Sequence, residues 1–196
     1  MTLAGLSMLV AIVLGYVAGG RLRNLLALRI RWPLAAVVGL ALQMVPVHGS
    51  MSGLVFPSLL VSFGLLGAFA AANLRLPGFP LVLAGVTANV LVIALNHGMP
   101  VTHGALAAAH QLGSLPELAH GGARYHLAGP GDVLVPISDS IGATFPLRMV
   151  ISPGDVAIYT GMIWFLVWGM RRKPVAKMAA VATDGSVPVR ADEHAV

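Results

Sequence analysis

Cysteine is absent from the chain, and aromatic and charged residues are scarce, at 6% and 10% of 196 residues. The lack of cysteine excludes disulfide frameworks, thiolate nucleophiles and cysteine-based zinc sites. The lack of charge leaves too little polar surface for a soluble protein of this length, since 57% of the residues are hydrophobic and the mean hydropathy is +0.85. The composition therefore indicates an integral membrane protein, with the lipid bilayer as its main partner.

The sequence also lacks the signatures of several common functions. No glycine-rich phosphate loop, nucleophile elbow or zincin motif is present, so the enzyme classes that depend on them are set aside. The formal net charge of +5 comes from short basic clusters beside apolar runs, which does not favour nucleic-acid binding. No cofactor is predicted.

Long apolar runs dominate what is there, and about 20 apolar residues in a helix cross a bilayer. Five runs predict transmembrane helices: residues 2–19, 32–47, 54–74, 79–95 and 153–170. The predicted fold class is all-α, a polytopic membrane helix bundle of about five transmembrane helices over residues 1–173. A long extracytoplasmic loop, residues 96–152, separates helices 4 and 5. The polar residues 174–196 predict a disordered cytoplasmic tail.

Basic residues follow the first, third and fifth runs: Arg21, Arg23, Arg29 and Arg31, then Arg75, then Arg171, Arg172, Lys173 and Lys177. Cytoplasmic loops carry the excess of Lys and Arg, and five spans place these three segments on one side. We therefore predict a plasma-membrane protein with its N-terminus outside and its C-terminus in the cytoplasm. No basic segment precedes the first run, so we interpret it as a retained span rather than a signal peptide.

Small residues recur at every fourth position on two runs: Gly15 and Gly19 on the first, and Gly64, Ala68 and Ala72 on the third. Such residues let helix backbones approach closely. Packing within one bundle is the main interpretation. A homo- or hetero-oligomer formed through either face is the alternative.

Two asparagines mark one face of the fourth run. Asn89 lies inside it, and a carboxamide there needs a hydrogen-bond partner because lipid offers none. Asn96 is seven residues further and lies on nearly the same helical face. The pair indicates either interhelical hydrogen bonds or the lining of a binding cavity.

Acidic residues give the sharpest signal. Asp155 lies where the last run begins, directly after Ser152-Pro153-Gly154. There a carboxylate is favoured by the free amide groups of a first helical turn, and capping does not exclude a further function. Asp132 and Asp139 precede it in the loop. Two converging carboxyl groups share a proton, activate water or bind a cation, so Asp155 and Asp132 are the candidate catalytic pair, with turn capping as the alternative.

The histidines do not predict a metal site. His103, His110 and Glu117 are each seven residues apart, but Gly113 and Pro116 interrupt the helix that would align them.

Four segments carry a resemblance: residues 19–23 (Gly-Gly-Arg-Leu-Arg), 96–101 (Asn-His-Gly-Met-Pro-Val), 131–133 (Gly-Asp-Val) and 152–156 (Ser-Pro-Gly-Asp-Val). Together they resemble a family of uncharacterised bacterial multi-pass membrane proteins, a domain of unknown function found in actinobacteria and clostridia. The resemblance implies a membrane protein without an established activity. It also implies that Asn96, Asp132 and Asp155 form one group at the external face. The family pattern has glycine where this chain has His97, so the turn there is less permissive than in the family.

The chain is similar in a second respect to lipoprotein signal peptidases, which have one catalytic aspartate at the start of their last span. Asp155 fits that placement, and Asn96 beside a glycine turn fits their Asn and Gly segment. Those enzymes have four spans, however, and the Asn-x-x-Asp-Arg element expected before their first aspartate is missing here.

Three hypotheses follow. The favoured one is a non-enzymatic structural, subunit or binding role, with a polar site at the outer membrane face formed by Asn89, Asn96, Asp132 and Asp155. The alternative is a membrane-embedded aspartyl hydrolase. A small-solute transporter comes third, because Thr87 is almost the only polar residue between Arg75 and Asn89.

Overall fold

The computed structural model describes residues 3–44, 53–121, 124–145 and 147–172. Its long helices are α1 (Leu3–Val17), α2 (Pro33–Met44), α3 (Val55–Ala72), α4 (Phe79–Asn96) and α7 (Pro153–Arg171), and its short ones are α5 (His103–Ala108) and α6 (Leu115–Ala119). Single 3-10 turns span Leu22–Ala27, Leu112–Ser114 and Val135–Ile137. The short strands are β1 (Met99–Val101), β2 (Tyr125–Leu127), β3 (Ile141–Ala143) and β4 (Met149–Ile151).

The long helices occupy the five apolar runs of the sequence, within a few residues at each end. Two of them, α3 and α4, have 18 residues each and are long and apolar enough to cross a membrane, whereas α1 and α2 are shorter apolar helices. The expectation of an all-α fold is wrong in one respect, because residues 96–152 contain strands. Backbone groups between helices need partners too, and strand pairing supplies them there. The predicted tail, residues 174–196, lies outside the described residues.

Helices α4 and α7 run antiparallel and touch through paired glycines. A Cβ atom added to Gly154 would lie 2.8 Å from the carbonyl oxygen of Gly85, and one added to Gly161 would lie 2.6 Å from that of Gly78. Real side chains do not fit into such gaps, so the two backbones lie in direct contact. This close approach places Asn89 of α4 beside the first turn of α7.

An aromatic cluster fills the other half of the same interface. The Phe79 ring of α4 packs edge-on against Phe69 of α3 and Phe165 of α7, with ring centroids 5.4 and 5.1 Å apart. Phe79 and Phe165 are almost completely buried. Edge-to-face packing of this kind adds to the burial of apolar area and fixes the three helices relative to one another.

Polar side chains fasten the ends of the helices at the opposite end from Asn89. The Asn24 side chain, between α1 and α2, donates to the carbonyl oxygen of Met170 in α7 at 2.7 Å. Asn73, after α3, accepts from the amide of Arg31 at 2.9 Å and donates to its carbonyl at 2.8 Å. The segment between α1 and α2 therefore lies at the same end of the bundle as the C-terminal ends of α3 and α7.

The strands fold the described residues between 99 and 151 into a cap over the other end. β1 and β2 pair in parallel, with Pro100 opposite His126. The backbone of Asp139 adds to the free side of β1, since its amide donates to Pro100 and its carbonyl accepts from Thr102, both at 3.1 Å. β3 and β4 form an antiparallel pair with Ile141 opposite Ile151. Because β4 leads directly into α7, this pairing brings Asp139 to the beginning of that helix.

Two sequence details fit this local structure. His97 ends α4 with φ of 56°, in the left-handed region that favours glycine, and its ring lies 5.1 Å from that of Phe56. The interruption expected near Gly113 and Pro116 is present, because α5 ends at Ala108 and a separate α6 follows. His103, His110 and Glu117 therefore do not share one helix.

The small-residue faces differ in their surroundings. A Cβ atom on Gly15 would collide with the Met170 side chain of α7, so Gly15 itself packs within the bundle. At Gly19 and at Gly64, nothing among the described residues lies within 4 Å of the same atom. Oligomer formation through either face, Gly15 and Gly19 or Gly64, Ala68 and Ala72, stays a prediction.

Candidate functional site

A cavity of about 360 Å³ lies between the cap and the helix ends. This volume is at the lower end of the range for small-molecule sites. Its polar lining comes from Gln43, Asn89, Arg124, Tyr125, Asp139, Asp155 and Tyr159, and its apolar lining includes Leu59, Phe63, Ile93, Met99 and Val150. A wall that combines polar groups with apolar side chains suits a small ligand that has both a polar and an apolar part.

Asn89, Ser152 and Asp155 form a closed hydrogen-bond network on one wall. Ser152 caps α7: its hydroxyl accepts from the amide of Asp155 at 2.9 Å, and its own amide donates to the Asp155 carboxylate at 3.1 Å. The Ser152 hydroxyl donates to Asn89 Oδ1, and Asn89 Nδ2 donates to Asp155 Oδ1, both at 2.9 Å. This capping box fixes the orientation of the Asn89 amide, because its NH2 group must face the carboxylate.

Asp139 lies in the same cavity, but its carboxyl group has no such network of hydrogen bonds. Its side chain is only 7% exposed, and no group among the described residues makes a hydrogen bond to its carboxyl oxygens. Burial, and then the nearby carboxylate of Asp155, raise the pKa of Asp139 to about 7. The cavity therefore contains one carboxyl group that is held by partners and one that is open to a ligand.

Arg124 supplies the positive charge of the cavity. Its guanidinium donates to the backbone carbonyl of Gln43, and the Gln43 side chain donates to Ser62 of α3 at 2.9 Å. Ser62 is buried and donates in turn to the carbonyl of Gly39 at 2.7 Å. The cap is thus fastened to α2 and α3 through the same residues that line the cavity.

Asn96, the last residue of α4, and Asp132, in the cap, are not among the residues that line the cavity. Asn96 binds the backbone of Val133 through both atoms of its amide, at 2.8 and 3.0 Å. Asp132 accepts from the amide of Gly129 at 2.8 Å and contacts His126 Nε2 at 2.9 Å. Both side chains therefore stabilise the turn over residues 129–133.

Of the four residues singled out from the sequence, Asn89 is hydrogen-bonded to Asp155, and Asn96 is hydrogen-bonded to the turn that carries Asp132. The carboxyl groups of Asp132 and Asp155 have separate partners. Within the part of the chain that the structure describes, no group of three or more His, Asp or Glu side chains could hold a metal ion. The carboxyl group that shares the cavity with Asp155 is Asp139.

Sequence reasoning missed most of the cavity lining. Gln43 and Arg124 stand in segments without any recognisable motif, and Tyr159 lies within an apolar run. The one available signal is Asp139 itself, an acidic residue between two serines close to the last apolar run.

The sequence pattern of a family of unknown function (DUF5317) matches residues 27–167. The chain belongs to this family. The matched part of this DUF5317 member extends from the 3-10 turn before α2 into α7, and it includes Asn89, Asp139 and Asp155. No curated protein and no solved structure matches the chain.

Proposed function

We propose that this DUF5317 member is a multi-pass plasma-membrane protein that binds a small polar ligand in the cavity at the outer end of its helix bundle. The observation that carries the proposal is Asp139, a buried carboxyl group that lines a cavity and has no hydrogen-bond partner among the described residues. No fully buried side-chain nitrogen or oxygen of the described residues lacks a partner, so the carboxyl oxygens of Asp139 are accessible from the cavity, where a ligand or a proton can satisfy them.

Exposed apolar side chains support the membrane part of the proposal. Only 22% of α3 is buried inside the protein, so most of an apolar helix faces outward. Val17 and Met44 are 81% and 83% exposed, as are many of their apolar neighbours on α1 and α2. Exposing such a large apolar surface to water is unfavourable for a soluble protein, whereas contact between this surface and lipid chains is not.

Charge placement supports the orientation. Hydrogen bonds hold the Arg21–Arg31 segment, the end of α3 and the end of α7 at one end of the bundle, so the arginines of these segments lie together there. Asp132, Asp139 and Asp155 belong to the other end. The cap end carries fewer arginines, Arg124 and Arg148 among the described residues, so the arginine excess at the proposed cytoplasmic end agrees with the Lys and Arg bias of membrane proteins.

An aspartyl hydrolase is the second candidate, favoured by Asp139 and Asp155 in one cavity and by the raised pKa of Asp139. It ranks below binding because Asp155 uses both carboxylate oxygens to hold Asn89 and the first turn of α7. Asp132, expected as its partner, is held by Gly129 and His126. Transport ranks third, because the cavity lies at one end of α4 and Thr87 is almost the only polar residue toward the other.

The absence of cysteine makes the topology directly testable. Leu26, which is 90% exposed, and Phe145, which is 80% exposed, lie at opposite ends of the proposed bundle. In intact cells, a membrane-impermeant maleimide should label Phe145→Cys, and should label Leu26→Cys only after permeabilisation. The unmodified chain is the control and should give no signal. Labelling of Leu26→Cys alone in intact cells, or recovery of the protein in the soluble fraction, would overturn the proposed function.

A further inference from the structure

We propose that the ligand of the cavity is a small organic ammonium ion whose charged group binds the Asp139 carboxylate. This inference rests on the proposed binding function and names its ligand class. Asp139 is the group to which a ligand can bind, because the residue is 7% exposed and lines the cavity, and no hydrogen bond reaches its carboxyl oxygens from within the described residues.

Charge balance favours a monovalent cation. Among the described residues, the ionisable groups around Asp139 are Asp155 and Tyr159 from α7, and Arg124 and Tyr125 from the beginning of β2. When Asp139 is ionised and both tyrosines are neutral, these two carboxylates and one guanidinium carry one net negative charge, which a proton on Asp139 removes when no ligand is bound. Charge in a poorly solvated site is strongly disfavoured unless it is paired. One bound cation restores neutrality.

The wall of the cavity favours an organic cation over a metal ion. Metal ions such as Ca²⁺ need six or more oxygen ligands, and Asp155 is already engaged by Asn89 and Ser152. The aromatic rings of Phe63, Tyr125 and Tyr159 line the cavity together with aliphatic side chains. Aromatic rings attract ammonium groups through their π faces, and aliphatic walls accept the attached carbon atoms.

Two sources could supply this chemistry, a free organic cation or the ammonium headgroup of a lipid. Leu3 and Ala4, at the start of α1, belong to the cavity wall, so the cavity meets the edge of the bundle. Both sources present the same charged group to Asp139, and the composition of the bilayer distinguishes them.

The test uses the full chain in nanodiscs of phosphatidylglycerol, with choline as the probe and isothermal titration calorimetry as the readout. The neutral isostere 3,3-dimethylbutan-1-ol has the same shape without the charge. We expect choline to bind at about pH 8 and the neutral isostere to bind roughly tenfold to a hundredfold more weakly, because it lacks the electrostatic attraction of a quaternary ammonium group for one carboxylate. Asp139→Asn should weaken choline by the same factor and leave the isostere unchanged.

Glu117→Gln is the matched control, because it makes the same chemical change on the exposed surface of α6. It should bind choline like the unmodified chain. Lowering the pH to about 5.5 should weaken choline binding by roughly 30-fold, because protonation of Asp139 competes with the cation and its pKa is about 7. The Asp139→Asn variant should lack this pH dependence.

Adding phosphatidylethanolamine to the discs assigns the source. Competition with choline identifies a lipid headgroup, and unchanged affinity identifies a free cation. Equal binding of choline and its isostere, or choline binding that survives Asp139→Asn, would overturn the ligand class while leaving a binding cavity. Absence of choline binding in discs whose Phe145→Cys and Leu26→Cys variants label as expected would overturn the ligand class and not the topology.

Discussion

Replacing Asp139 by Asn should stabilise the protein at neutral and alkaline pH when no ligand is bound. The substitution keeps the size of the side chain and removes a charge that is 7% exposed. Burial and the neighbouring Asp155 raise the pKa of Asp139 from 3.8 to about 7 in the folded protein. A raised pKa means that the folded state binds the proton more tightly than the unfolded state, so ionisation of Asp139 destabilises the fold.

The magnitude follows from the shift. A difference of about 3 units at 1.36 kcal/mol each corresponds to about 4 kcal/mol of lost stability above the folded pKa. The loss begins as the pH rises through about 4, where the unfolded group ionises, and is complete above about 7. Asp139→Asn has no carboxyl group to ionise at this position and so does not lose this stability. Its free energy of unfolding should equal that of the unmodified chain near pH 4 and exceed it by about 4 kcal/mol near pH 8.

Thermal unfolding in detergent, followed by tryptophan fluorescence across this pH range, measures the effect. The unfolding temperature of the unmodified chain should decrease as the pH rises from about 4 to about 7. The unfolding temperature of Asp139→Asn should not show this decrease. Glu117→Gln, an exposed acidic position, controls for the change in net charge. A variant that is less stable than the unmodified chain at pH 8, or equally stable at every pH, would refute the assignment of an uncompensated buried carboxyl group.

Three further substitutions test the surrounding structure by thermal unfolding near pH 7. Gly154→Ala should destabilise the fold by more than about 2 kcal/mol, because the added methyl group would meet the Asn89 side chain. Gly64→Ala should leave the free energy of unfolding unchanged or raise it by up to about 1 kcal/mol. Equal effects of the two substitutions would contradict the close contact of α4 and α7. Asn89→Ala should cost about 2–3 kcal/mol by leaving buried partners unsatisfied, and no loss would contradict the network. Partial burial opposes ionisation of Asp132, but hydrogen bonds from Gly129 and His126 hold the pKa of Asp132 below its usual value. Asp132→Asn should therefore cost about 1–2 kcal/mol above pH 4, a loss that disappears as the pH falls through that lowered value, and stabilisation would contradict the assignment.

The helices could be predicted from the sequence because apolar length alone determines them. The five runs contain the five long helices, and the boundaries of α4 and α7 differ from the expected ones by a single residue. Capping by Asp155 was equally accessible, since Pro153 and a first-turn carboxylate form a local pattern. Asn89 was recognisable as a group that needs a partner, and its partner proved to be Asp155.

The cavity could not be predicted in the same way, because it depends on contacts between distant segments. Asp139 reaches the start of α7 only through its pairing with β1 and through the β3–β4 pair. Three-residue strands leave no periodic pattern in a sequence rich in Gly and Pro. The Gly-Asp-Val segment that carries Asp132 forms a turn held by Gly129 and His126, and the sequence offers no signal that separates this role from a site role.

The most direct test of the account is the ionisation state of Asp139, measured by infrared difference spectroscopy of the carboxylic acid band. The band assigned to Asp139 is the one that disappears in Asp139→Asn. Without ligand, the account predicts that this band titrates with a pKa of about 7, and that choline converts it to the carboxylate at about pH 6. A band that titrates near pH 4, or that choline leaves unchanged, would contradict the proposal that Asp139 is a buried carboxyl group that binds a cation.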